Sequence, residues 1–140
     1  MAEVSPAAQD VNQRARPLSP HLQVWRWHVT MTASILHRAT GVALYGGALI
    51  LAGWALALAS GPDAYGDYMG ALASIPGGVV LFGVTVSVFF HLANGVRHLF
   101  WDCGKGFDLR TADLTAWIAL AFGFVAAVVV WGAAVLSGAL

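Results

Sequence analysis

Three stretches of the chain, 39–62, 68–96 and 114–140, contain no Asp, Glu, Lys or Arg. Each is longer than the roughly 20 residues that cross the hydrocarbon core of a bilayer as an α-helix. Transmembrane β-strands would instead run for about ten residues and alternate apolar with polar positions, and no stretch here does so. The pattern predicts an all-α integral membrane three-helix bundle. The first span starts near Met31 and stops at Ser60, because Gly61-Pro62 brings in a residue with no amide donor and a fixed φ. A second follows the breakers Pro76-Gly77-Gly78 and ends at about Trp101. The third begins near Asp113, read as its N-cap. The spans therefore fall at about 31–60, 77–101 and 113–138, in a membrane domain 31–140 that follows an N-terminal arm 1–30. That arm is polar and proline-rich and lacks the apolar core of a signal peptide, so it reads as a mature segment.

Composition sharpens this picture. Hydrophobic residues make up 59% and charged residues 10%, where soluble domains carry roughly 25% charged residues. Zero net charge and a single cysteine, Cys103, exclude a nucleic-acid binder and a disulfide scaffold. Cys103 lies outside the apolar spans and reads as an idle thiol. The seven cations are segregated: Arg14, Arg16, Arg26 and Arg38 precede or open the first span, and Arg97, Lys105 and Arg110 surround the second loop. The first loop holds only Asp63 and Asp67. By the positive-inside rule the N-terminus is cytoplasmic and the C-terminus external. Trp25, Trp27, Trp101 and Trp117 then gather at the inner interface, with Tyr65 and Tyr68 at the outer one. Glu3 and Asp10 argue against a mitochondrial transit peptide, so a bacterial inner membrane is the expected home.

The polar residues available for chemistry lie on the cytoplasmic side: Ser34, His37 and Arg38 on the first span, and His91, Asn94, Arg97 and His98 on the second. His91 is about 9 Å deeper than Arg97 at 1.5 Å per residue, and an ionisable residue at that depth is a functional candidate. Gly83, Ser87, His91 and Gly95 recur every fourth residue, so side chains too small to obstruct a flat macrocycle bracket the imidazole. His98 follows on nearly the same face. The arrangement suits haem, with an imidazole for iron and cationic donors for the propionates; a neutral histidine tying two helices together is the simpler reading. The third span has no His, Met or Cys, and His37 lies at the membrane edge, too shallow to pair with His91, so a second axial ligand would come from a partner subunit. Ser34 and Arg38, four residues apart, share one helical face. Their spacing fits both a snorkelling arginine beside a back-bonded serine and a polar site for an amphipathic ligand such as a quinone. Ala39, Ala43 and Gly47 form a small-residue stripe suited to close helix packing. The third span reads as structural.

The segments Arg16-Pro17-Leu18-Ser19-Pro20-His21-Leu22, Ser34-Ile35-Leu36-His37-Arg38-Ala39-Thr40-Gly41 and His91-Leu92-Ala93-Asn94-Gly95-Val96-Arg97-His98-Leu99, followed by Trp101-Asp102 and Gly104, lie in an order that closely resembles the cytochrome b556 subunit family of succinate dehydrogenase. The resemblance covers nearly the whole chain. It implies a membrane anchor working with a second small anchor subunit, an iron-sulphur subunit and a flavoprotein, which alone carry the iron-sulphur clusters and FAD. Succinate would be oxidised at the flavin, and electrons would pass through the clusters to ubiquinone. By the family pattern His91 is an axial ligand of a haem b shared with the partner anchor. His37, Arg38 and His98 approach the haem propionates, and Ser34 and Arg38 help form the ubiquinone pocket.

Three rival readings remain at this point. The anchor of a quinol:fumarate reductase shares the architecture and runs the reaction backwards. A purely structural helical anchor would use its histidines only to join helices. A small proton-coupled transporter usually needs an intramembrane carboxylate, and no Asp or Glu lies within the three charge-free stretches.

Overall fold

The computed structural model describes residues 25–138. Four helices follow one another: α1 (Val29–Ser60), α2 (Pro62–Ala73), α3 (Ile75–Asp102) and α4 (Leu109–Leu136). Among the described residues there is no strand. α1, α3 and α4 are long and apolar enough to span a membrane; the 28 residues of α3 or α4 extend about 42 Å against a hydrocarbon core of about 30 Å.

The first interspan segment, read from sequence as a loop, is mostly helix. α1 ends at Gly61, whose φ of 112° and ψ of 175° lie in a region open essentially to glycine alone. Pro62 then opens α2, where a missing amide costs nothing, and Asp63 sits in the first turn, favourable to the helix dipole. α2 is held against α1 by Tyr68, whose hydroxyl donates to the Ile50 carbonyl at 2.7 Å. Its ring passes Gly53 so closely that a Cβ there would lie 2.8 Å from the hydroxyl oxygen.

Two helix starts also differ from expectation. Pro76, Gly77 and Gly78 do not precede the second span but form its first turn, because a proline at N2 gives up no intrahelical bond. Ser74 is the N-cap, its hydroxyl oxygen accepting from the Gly77 amide at 3.3 Å. Asp113 is not the cap of the third span. Asp108 takes that role, accepting from the Thr111 amide at 2.9 Å, and Asp113 lies in the second turn, 3.3 Å from His28 Nε2.

α3 runs antiparallel to both α1 and α4. Thr40 faces His91 while Gly47 faces Val84, and Arg97 meets Thr115 while Trp131 donates to the Thr85 hydroxyl at 3.1 Å. The interior is built from small residues. Ala112, Ala116, Ala119, Gly123 and Ala127 form the buried stripe of α4, and a Cβ on Gly123 would sit 2.6 Å from that of Phe90. Apart from Phe90 and Arg97, which are buried, most large side chains point outward, Val42 being 75% and Val79 68% exposed. This suits lipid-facing helices, where association depends on close backbone approach rather than on burying bulk. The stripe expected on the first span is not its packing face within this chain: Ala39 and Ala43 are exposed, and of the three only Gly47 abuts α3. Helix phase explains this, since Ala33, His37, Thr40 and Gly41 occupy the facing side.

Candidate functional site

The start of α1, the end of α3 and the start of α4 meet at one end of the bundle, joined by the His28–Asp113 contact. Arg26, Arg38, Arg97, Lys105 and Arg110 belong to these segments, whereas α2, with Asp63 and Asp67, closes the other end.

Three imidazoles gather at the cationic end. The His37 and His91 rings stack at 3.8 Å between centroids with 14° between planes, and His37 also lies 5.0 Å from His98 at 22°. This corrects the expectation that His37 is too shallow to reach His91. His37 stands about two turns inside α1 and His91 about three turns inside α3, and the offset of the helix ends brings them level. Stacking, not depth, prevents joint ligation. In-plane lone pairs of two face-to-face rings cannot converge on one iron from opposite sides.

Each ring is held differently. His91 Nδ1 lies 3.2 Å from the Thr40 hydroxyl, and Gly41 approaches so closely that a Cβ there would be 3.3 Å from His91 Cε1. The His98 Nδ1–H donates to the Asn94 carbonyl at 2.7 Å, so donation from Nε2 as well would need the imidazolium form. His37 Nδ1 is buried with no partner among the described residues. Gly83 and Gly95, one two turns before and one a turn after His91, have nothing within 4 Å of a Cβ position.

Arg97 belongs to a different arrangement. It is 6% exposed and turned towards α4: Nε donates to the Thr115 hydroxyl at 3.0 Å, Nη2 to the Ala112 carbonyl at 3.0 Å and Nη1 to Asn94 Oδ1 at 3.4 Å. Its guanidinium lies 4.0 Å from the centre of the Trp101 ring. This network was not foreseen. Its only sequence signal is the Asn94, Arg97, Trp101 spacing of three and four. Ser34 is half-buried and Arg38 exposed on α1 beside His37 in sequence, and among the described residues the side chain of neither hydrogen-bonds to an imidazole. Cys103 is a free, exposed thiol at the end of α3.

A bundle of three membrane spans with a histidine cluster and a cationic margin at one end is a polytopic membrane protein. A family model for the succinate dehydrogenase/fumarate reductase transmembrane subunit matches residues 12–130. The chain is 37% identical over 116 residues to a succinate dehydrogenase cytochrome b556 subunit of Rickettsia felis, covering 83% of this chain and 90% of that one. It is likewise 37% identical over 119 residues to that of Paracoccus denitrificans, with 85% and 92% covered. Against the mitochondrial cytochrome b560 subunit of Sus scrofa it is 38% identical over 99 residues, 67% and 57% of the two chains. The chain belongs to the succinate dehydrogenase/fumarate reductase transmembrane subunit family and is a membrane anchor of an oxidoreductase complex.

The donor set fits a haem reached from this chain by one imidazole. His91 Nε2 makes no hydrogen bond among the described residues, open positions flank it at Gly83 and Gly95, and His37 Nδ1 is a buried polar atom in need of a partner.

Proposed function

We propose that this chain is the haem b-binding anchor subunit, of cytochrome b556 type, of a succinate:quinone oxidoreductase in a bacterial inner membrane. His91 ligates the iron through Nε2, and a histidine on a second small anchor subunit supplies the other axial position. His37, Arg38 and His98 face the propionates. Ser34 and Arg38 form part of a ubiquinone pocket. An iron-sulphur subunit docks on the cationic end, which is cytoplasmic, and receives electrons from succinate through a flavoprotein carrying FAD.

The observation that carries this reading is the His91 ring, membrane-embedded and fixed at Nδ1, with Nε2 unengaged and small residues on either side. Haem b, when bound, supplies a one-electron carrier. The chain's own residues do the rest: the Ser34 hydroxyl orients a quinone carbonyl, and the Arg38 guanidinium stabilises negative charge developing on the oxygens as two electrons and two protons convert quinone to quinol. Succinate oxidation is favoured over fumarate reduction by the similarity to subunits named for succinate dehydrogenase over most of the chain.

The test is His91→Ala in the assembled complex. The low-spin b-type spectrum is expected to be lost or converted to high spin, while succinate oxidation with a water-soluble acceptor persists. An unchanged low-spin spectrum defeats the ligand assignment.

A further inference from the structure

We infer that Thr40 is a positioning residue for the haem ligand: its hydroxyl accepts a hydrogen bond from His91 Nδ1–H, fixing the tautomer that leaves Nε2 free for iron and raising the ligand's basicity. The inference rests on His91 being the axial ligand and adds the residue that prepares it.

The argument turns on where one proton goes. Thr40 Oγ1 lies 2.8 Å from the Leu36 carbonyl and 3.0 Å from the His37 carbonyl. Carbonyl oxygens only accept, and the shortest of these contacts directs the single hydroxyl proton to the Leu36 carbonyl. Towards His91 Nδ1, at the longer distance of 3.2 Å, the hydroxyl offers a lone pair. The imidazole must therefore carry its proton on Nδ1, and the lone pair is left on Nε2. Gly41 on one side and the stacked His37 ring on another restrict rotation of the imidazole about this contact. One turn of α1 thus holds the ring by its edge and by its face. Metal-bound histidines generally donate their second N–H in this way, and the acceptor makes the ligand a stronger electron donor. A stronger donor favours the ferric state, so losing the acceptor raises the midpoint potential.

Thr40→Val preserves shape and removes the acceptor; Thr40→Ser keeps the hydroxyl. In the native four-subunit complex, redox titration of the haem and electron paramagnetic resonance of its oxidised form read the outcome. Thr40→Val is expected to raise the ferrous to ferric ratio at fixed potential about tenfold, equal to about 59 mV for one electron, with altered g-values because the ring is freer to turn. Thr40→Ser stays within about twofold of the parent on the same scale. Haem lost from Thr40→Val but kept in Thr40→Ser supports the same role. No shift in Thr40→Val, a shift of opposite sign, or equal effects in both variants overturns it. His91→Ala, measured alongside, separates this failure from failure of the ligand assignment: a retained low-spin spectrum there removes the premise, whereas a lost one with inert Thr40→Val removes only the role of Thr40.

Discussion

Two arginines near one end of the bundle illustrate how surroundings decide the use of a charge. Arg97 directs three nitrogens to Thr115, Asn94 and Ala112 and places its guanidinium carbon over the Trp101 ring, so its charge is committed to joining α3 and α4. Arg38 is exposed and forms no ion pair among the described residues, which leaves its donors available to a ligand entering from lipid. Arg38→Leu in the assembled complex is therefore expected to slow quinone reduction by about 10² to 10³, by analogy with loss of a charge-stabilising donor. Ser34→Ala, which removes a neutral hydrogen bond, costs less. Electron transfer from succinate to a water-soluble acceptor is the control. Equal losses in both assays would report failed assembly, and normal quinone reduction in both variants would defeat the pocket. At this scale the sequence revealed which residue types collect at one end, since spacing within a helix determines face and depth. It did not reveal that His37 stacks on His91, because that depends on the rotational phase of two helices some fifty residues apart.

At the scale of elements, the spans and where the first two stop were legible because long charge-free stretches have few alternatives in a bilayer, whereas the starts of the second and third were not. Pro76 and Gly77 are breakers inside a helix but acceptable in its first turn, so the same residues predict opposite boundaries according to position. α2 escaped because Gly66 and Gly70 lower its intrinsic propensity and its stability comes from Tyr68 packed on α1. Asp108 shows what a true start depends on. The Thr111 hydroxyl, and then the Thr111 amide, donate to its carboxylate and hold its pKa below the ordinary value. A depressed folded pKa stabilises the start of α4 above the usual unfolded carboxylate value of about 4, and that contribution fades as pH falls through the lower folded value. The protection factors of the Arg110 and Thr111 amides, each taken relative to the intrinsic exchange rate at that pH, should fall on acidification in the parent. In Asp108→Asn, which caps without titrating, that fall should vanish. Equal pH dependence in the two would exclude this carboxylate as the cause.

For the whole molecule, sidedness follows from joining charge to topology. The antiparallel course of α1, α3 and α4 brings every described Lys and Arg to one end, while the other end, closed by α2, carries only carboxylates. Lys and Arg are retained on the cytoplasmic side during insertion, and Asp and Glu contribute little to that choice, so the histidine cluster is expected to face the cytoplasm. The chain supplies its own reporter. Cys103 is its one cysteine, exposed at the end of α3 beside the cationic margin. On the opposite side, a Cβ at Gly66 in α2 meets nothing within 4 Å, so Gly66→Cys fits without displacing a neighbour. A membrane-impermeant maleimide should label Cys103 in inverted vesicles but not in intact spheroplasts. In a Cys103→Ser background, Gly66→Cys should show the reverse, with detergent exposing both as the control for reactivity. The consequence reaches back to chemistry, because the proposed function needs a cytoplasmic cluster to receive electrons from partner subunits that would oxidise succinate on that side. Labelling of Cys103 in intact spheroplasts would place His91 and Arg38 on the wrong side for that docking, and the proposed electron path into this chain would fail with it.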